Sequence, residues 1–535
     1  MRAQPGLETN AVPDLLIGCD VGTSSAKAIL VDTSGDVLAR ERCDYPMHRP
    51  HPGWAENDPE DWVAAVETMI LGLRKQVTFQ PADLRALAIV AQRDPIVFLD
   101  ENLRVLGPSV SWIDMRDLAE TEQIYQDFGR QALIETTGLI PVPGLALPVI
   151  YWVRRHRPAL WRKTKYILAA KDFILLRLTG QRATDTSLPA RSMLYDLRKL
   201  DWSDWICAKA GIAIDLLPPV SYRPWESWGR LRPEIAARLG LKESTVVAAG
   251  GADDTAATLG GGGYRPGDVV VGTGTAACWR VVTNKIAPDI KERADLSPHV
   301  VPDHYVYEFV ITGTGTSLRW FRESFFSDSA GIPASYEDLL AEAARVPPGA
   351  KGLMFFPFLE GARAPRYNDN ASGVFFGIRA FHDRAHFVRA ILEGIAFQYP
   401  LVLEEARRFD ANIADNITLV DDEARSSLWN QIKADVTGVS ITTLKSHNAA
   451  AMGAAILAAL AAHLFPTVTS AVDSMVKRGH QVPPCPKSNA TYRVIRERYE
   501  IVYRHLSAAF KAAAKAPVTS SLKCEEWGEA NELAE

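Results

Sequence analysis

One short pattern occurs twice in this chain, with its glycines 250 positions apart: an apolar run, a small-residue turn carrying Gly-Thr, and a second apolar run that returns beside the first. The first copy is an apolar strand over 15–19, the turn Asp20-Val21-Gly22-Thr23-Ser24-Ser25, and a strand over 27–31. The second is a strand over 268–271, the turn Gly272-Thr273-Gly274-Thr275, and a strand over 277–282, behind a glycine-rich stretch at 250–263. A chain that uses one hairpin design twice is expected to form two similar domains facing each other, not two unrelated ones. Its 535 residues agree, being well beyond the ~250–300 at which a single core stops growing. The boundary is expected near 241–247. That gives domains over 14–245 and 246–512, between tails at 1–13 and 513–535 that are expected to be disordered, the second of them acidic.

The elements around the first hairpin follow from local signals. Ser34-Gly35-Asp36 supplies a turn into a third strand over 37–42, so three antiparallel strands open the domain. Behind the start signal Asn57-Asp58-Pro59, the residues Trp62, Val66, Met69, Ile70 and Leu73 recur at helical spacing and predict a helix over 59–75. A strand over 87–91 follows. The longest apolar run, 449–462, is shorter than the ~20 residues a membrane-spanning helix needs and reads as a buried helix.

Charge and cysteine usage exclude several function classes. The net charge of −5 falls to −1 once residues 521–535, with one Lys and five Glu, are set aside, so no basic excess is present for a nucleic-acid backbone. The six cysteines (Cys19, Cys43, Cys207, Cys278, Cys485, Cys524) contain no C-x-x-C pair, which argues against a zinc site or a disulfide framework. No secretion signal opens the chain, and a cytoplasmic protein without membrane association is expected.

Four constellations can carry chemistry. In the first hairpin, Gly22 admits a ligand close to the backbone, and Thr23, Ser24 and Lys27 with the neighbouring N–H groups can hold phosphate oxygens. Asp20, at the strand end, can hold a magnesium ion or its waters. Gly272 and Thr273 repeat the device, so two hairpins could clamp a triphosphate from both sides, and no G-x-x-x-x-G-K-[ST] loop offers another route to ATP. In Gly250-Gly251-Ala252-Asp253-Asp254, Asp253 could accept a hydroxyl proton as attack on phosphorus begins, or start a helix, or do both. Gln92-Arg93-Asp94 and Trp112-Ile113-Asp114 combine amide, charge and an indole face, which suits a sugar or polyol, although singly such charges are usually solvated surface groups.

Taken in order, the segments 20–28, 52–62, 112–116, 171–180, 184–187, 195–197, 250–254, 266–273, 316–321, 356–377 and 449–457 resemble the FGGY carbohydrate kinases, and within them the xylulokinase-like branch. The resemblance implies an α/β, two-domain duplicated ribonuclease H-like fold of the actin/hexokinase type with a central cleft. It also implies ATP and Mg2+, and phosphorylation of a ketopentose or related polyol. By motif position it makes Asp253 the general base, Asp20 the residue near magnesium, and Thr23 and Thr273 phosphate-loop residues. Gln92, Arg93, Trp112 and Asp114 become the sugar-site group, and a homodimer is a family expectation.

Departures at four places qualify the resemblance. Arg93-Asp94 stands where xylulokinases usually carry Met-His, which turns the expected acceptor toward a polyol or a differently configured ketose. Asp421-Asp422-Glu423 replaces the usual glycine run before Ala424-Arg425, the adenosine-loop positions, at the start of a helix over 426–436; Asn448 and Ala362 stand where relatives often have Glu. Acids at a helix N-terminus gain ~0.3–1 kcal/mol each from the dipole. They would repel nucleotide phosphates by ~1 kcal/mol per charge pair at 4 Å in water, so weakened ATP binding is expected. A non-catalytic sugar or nucleotide sensor is the alternative reading. An ATP-driven chaperone or filament protein would not need the sugar-site segments.

Overall fold

The computed structural model describes residues 14–515 apart from 275, 327–332, 411 and 446–447. The expected tail at 1–13 and residues 516–535 of the second lie outside the described residues, while 513–515 end a long helix, Pro486–Lys515.

Strand Leu15–Val21 (β1) is buried along almost its whole length, as a central strand covered on both faces must be. It pairs antiparallel with Ser25–Asp32 (β2), which pairs antiparallel with Val37–Asp44 (β3). Helix Pro59–Gln76 (α1) starts at the expected proline, with the Asp58 carboxylate accepting from the Glu60 N–H. It buries Trp62, Val66, Met69, Ile70 and Leu73 in the first half's core. Leu84–Ala91 (β4) lies parallel to β1. Ser227–Arg230 (β5), Val246–Ala248 (β6) and Gly251–Ala252 (β7) complete the sheet, in the order β5-β6-β4-β1-β2-β3 with β7 also on β4. This sheet therefore continues past the boundary region expected near 241–247.

The second sheet consists of Val269–Thr273 (β8), Ala277–Thr283 (β9), Asp295–Pro298 (β10), Tyr305–Ile311 (β11), Asn416–Val420 (β12), Ser440–Leu444 (β13) and Arg478–Val482 (β14). Its order is β10-β11-β9-β8-β12-β13-β14. The sets β3-β2-β1-β4-β6 and β11-β9-β8-β12-β13 share one order and one pattern of directions, two antiparallel pairings followed by two parallel ones. The repeat is the duplicated ribonuclease H-like, actin/hexokinase-type fold. One detail differs from the sequence reading: β8 runs through Thr273, so Gly272 and Thr273 end a strand instead of forming the turn.

Helices Asp253–Gly260 (α2) and Ala449–Ala461 (α3) lie between the sheets. Ala256, Leu259, Met452 and Ala455 pack with Leu16, Ile29, Ala88 and Val90 of the first sheet. Ala257 and Ala449 pack with Val270, Val420 and Leu444 of the second. The approach demands glycine: a Cβ on Gly453 would lie 1.9 Å from the Ala256 carbonyl oxygen, and one on Gly18 2.0 Å from that of Ala451. No helix among the described residues is long and apolar enough to cross a membrane.

Candidate active site

Strand register assembles the site. Val21 pairs with Ala91, and Ala91 with Ala252, so the chain leaves three neighbouring strands side by side at Asp20-Val21, Gln92 and Asp253. The Gln92 N–H donates to the Val21 carbonyl at 2.9 Å. Such a crevice beyond the carboxyl ends of parallel strands is where open α/β sheets bind ligands.

Asp253 begins α2, partly buried, and accepts from the Asp254 N–H at 2.8 Å. A buried support holds this turn in place. Lys171 Nζ, fully enclosed, reaches Asp172 at 2.9 Å, Asp185 at 3.1 Å and the Ala249 carbonyl at 2.9 Å. Asp185 accepts from the Ser187 hydroxyl at 2.6 Å, and that hydroxyl accepts from the Ala252 N–H at 3.1 Å. Gly250 has φ +67°, and a Cβ there would lie 1.8 Å from the Ile89 carbonyl oxygen. In the sequence the segment 171–180 served only as a marker of the resemblance and this support was missed; its signal was a Lys-Asp pair opening a helix, Ala170–Thr179, and followed by the apolar run Phe173–Leu176.

The carboxylates at the strand ends are driven apart electrostatically. Burial first, then the neighbouring Asp254, raises Asp253 well above the usual carboxylate range. Burial also opposes ionisation of Asp254, but Arg280 and Arg93 outweigh it and hold that carboxyl low. Burial pushes Asp20 up to about 6 against the attraction of Lys27, with Asp421 and Asp254 adding to the rise.

Arg93 and Asp94 are not solvated surface charges. Arg93 reaches both Glu308 oxygens at 2.6 and 2.8 Å and Asp254 at 2.7 Å. Arg280 takes the other Asp254 oxygen. Arg191 bridges Asp94 and Asp295, both at 2.9 Å. Glu308, Arg280 and Asp295 belong to the second sheet, so these pairs tie the halves together across the cleft. Gln92 is 4% exposed, and neither atom of its side-chain amide has a hydrogen-bond partner among the described residues, an unmet demand at the strand end. Trp112 is half-exposed and its indole N–H donates to the Thr23 hydroxyl at 2.9 Å, joining the expected sugar wall to the first hairpin. Asp114 corrects the sequence reading. It is fully enclosed, with both oxygens engaged by the Ala55 N–H and by the backbone and guanidinium of Arg116, so it braces its loop and offers no face to an acceptor.

Opposite lies a pocket of about 840 Å³ lined by Lys27, Gly272, Thr273, Arg280, Asp421 and Arg425, among others. Gly22 and Thr23 are partly buried, whereas Ser24 and Lys27 are exposed. Thr273 donates to the Val420 carbonyl at 3.0 Å, fixing the end of β8 against the end of β12. Asp421, the next residue, has φ +72°, the left-handed region where glycine is at ease. Ala424 is buried in a short 3-10 turn and accepts from Asn430 Nδ2 at 2.7 Å; Arg425 is exposed. The helix expected over 426–436 is Ser427–Thr437, capped by the Ser426 hydroxyl, which accepts from Trp429. Asp421 and the turn Asp422–Arg425 therefore precede this helix, which begins only after Ser426.

No group of three or more metal-ligating side chains occurs among the described residues. Magnesium characteristically takes one or two carboxylates and completes its shell with phosphate and water, a demand that the carboxylate of Asp20, paired in register with the pocket-lining Lys27, fits.

Known proteins share this fold. The model of the FGGY family of carbohydrate kinases, N-terminal domain, matches residues 15–260, and that of the C-terminal domain matches 269–462. The chain is 30% identical over 503 residues to the xylulose kinase of Bacillus subtilis, covering 94% of this chain and 99% of that protein. It is 28% identical to the gluconokinase of the same organism, over 90% and 94% of the two chains. The crystal structure of the xylulose kinase from Rhodospirillum rubrum superposes with a TM-score of 0.83 at 28% identity, over 93% of this chain and all of that one.

Proposed function

Since the chain belongs to the FGGY family of carbohydrate kinases, it is a phosphotransferase with an alcohol group as acceptor; we propose that it transfers the γ-phosphate of ATP to a hydroxyl of a xylulose-like ketopentose or related polyol. The observation that carries this reading is that Asp253 leaves β7 beside Gln92 and the Asp20 end of β1, while its neighbour Asp254 reaches Arg280, which lines the pocket together with Gly272 and Thr273. Gln92 and Trp112 orient the acceptor. Asp253 takes the hydroxyl proton as the oxygen attacks phosphorus, and its rigid seat on Ser187 and Lys171 keeps the attack in line. Thr23, Lys27, Gly272 and Thr273 hold the phosphates, and Asp20 would hold magnesium, whose charge lowers the barrier to transfer when bound. Burial that raises Asp253 makes it a better proton acceptor, and activity should rise with pH as it ionises. Similarity to both a xylulose kinase and a gluconokinase leaves the acceptor to experiment.

A coupled ADP-release screen over pentuloses, tetritols, glycerol, hexuloses and gluconate tests the proposal. Turnover with one acceptor is expected, and Asp253→Asn should lower kcat by about 10²–10⁴, the usual worth of a general base. Undiminished turnover in that variant would remove Asp253 from the role. A sensor is the second reading, favoured by the carboxylate of Asp421, whose Oδ2 comes 3.2 Å from where a Cβ on Gly272 would sit. Silence across the screen with intact sugar binding would select it.

A further inference from the structure

Arg280 has no role in the fold or in the proposed chemistry that accounts for its burial. It stands on β9, 7% exposed, in an otherwise apolar strand where a cation needs a strong reason to be buried. Only one of its nitrogens is engaged. Nη2 reaches Asp254, while Nε and Nη1, both buried, have no hydrogen-bond partner among the described residues. Arg280 lines the cleft pocket, and Nη1 lies toward its Gly272 wall, 2.8 Å from where a Cβ on that glycine would sit. Asp421 Oδ2 is near the same point, at 3.2 Å, which keeps the neighbourhood polar. The guanidinium thus stands between the strand end that would hold phosphate and Asp254, the residue next to the candidate base.

We propose that Arg280 is a catalytic residue that contacts the γ-phosphoryl group through Nη1 and Nε, with Asp254 holding the guanidinium in place. The proposal rests on the kinase reading and adds a cation to it. As the acceptor oxygen bonds to the γ-phosphorus, the bond from that phosphorus to the β,γ-bridging oxygen breaks. ADP leaves with the electron pair, and the acceptor proton passes to Asp253. Charge on the equatorial oxygens of the moving group is what a planar, permanently charged donor pair neutralises. The strand holds the arginine's backbone, and Asp254, held ionised by Arg280 and Arg93, fixes the guanidinium through Nη2 without spending Nη1 or Nε.

Isothermal titration of the full chain with Mg·ADP and with the non-hydrolysable Mg·AMP-PNP is the test, on wild type, Arg280→Met and Arg280→Lys. Arg280→Met is expected to weaken AMP-PNP about tenfold or more while ADP changes less than about twofold, with Arg280→Lys intermediate. With whichever acceptor the screen identifies, kcat of Arg280→Met should fall by about 10²–10³ and be partly restored by added guanidinium. Equal loss of both nucleotides, or loss of neither, overturns the proposal. Should Arg280→Met fail to fold, Arg280→Lys carries the comparison. Wild-type protein that binds neither nucleotide would instead overturn the kinase reading itself.

Discussion

At Asp20 the needs of folding and of chemistry oppose each other. Its carboxyl titrates near 6 in the folded protein, against 3.8 as the ordinary value, so the folded state holds the proton more tightly. Stability therefore falls as pH rises from about 4 to about 6, and the penalty is complete at pH 7. Asp20→Asn should raise the stability of the nucleotide-free protein at pH 7 by on the order of 1–3 kcal/mol, a gain that fades as pH drops through 6 toward 4. Thermal denaturation across that range measures it, and a pH-independent difference would refute the assignment. Turnover should be lost in the same variant. Asp421 poses a separate question, because a side chain in left-handed backbone carries strain. Asp421→Gly should remove that strain together with one negative charge beside the pocket, tightening Mg·ADP severalfold, about the effect of 1 kcal/mol of lost repulsion. Unchanged affinity by titration would show that the acidic loop does not govern nucleotide binding.

Among the elements, the α2–α3 pair is the most exacting, since its backbones touch. Gly453→Ala places a methyl 1.9 Å from a carbonyl oxygen. The helices must separate, and a loss of about 1–3 kcal/mol, read from the urea midpoint, is expected from such overpacking. A loss below about 0.5 kcal/mol would mean that the helices are not seated this closely. Elements whose signals are local were legible in the chain: β1 to β4 and α1 follow from apolar runs, turn residues, helical spacing and a proline start. The end of β8 was not, because Gly-Thr reads as a turn until the partner strand β12, far along the chain, is known to pair with it. The site divides the same way. Asp20, Gln92 and Asp253 announce themselves at strand ends beside small residues. Arg280 and Glu308 do not, being single charges in apolar strands whose partners lie far off: Arg93 is 215 residues from Glu308 and 161 from Asp254. Asp114 misled for the opposite reason, since enclosure by its own loop leaves no trace in the sequence.

For the molecule as a whole, duplication sets the geometry and the crossing ion pairs set how it is held. Two sheets of one topology present their strand ends to a shared cleft, and two kinds of bond join them. One is the apolar seam of α2 and α3. The other is the pairing of Arg93 with Glu308 and of Arg191 with Asp295. Closure of such a cleft excludes water from phosphoryl transfer, and here part of the contact is already made by charge. The linked group Arg93, Glu308, Asp254 and Arg280 also acts as one electrostatic unit. Deleting one member of a buried pair strands its partner at a cost of about 3–5 kcal/mol, so a single substitution among the four is felt by the others. Replacing all four together by apolar side chains of similar volume should therefore cost less than the sum of the single losses.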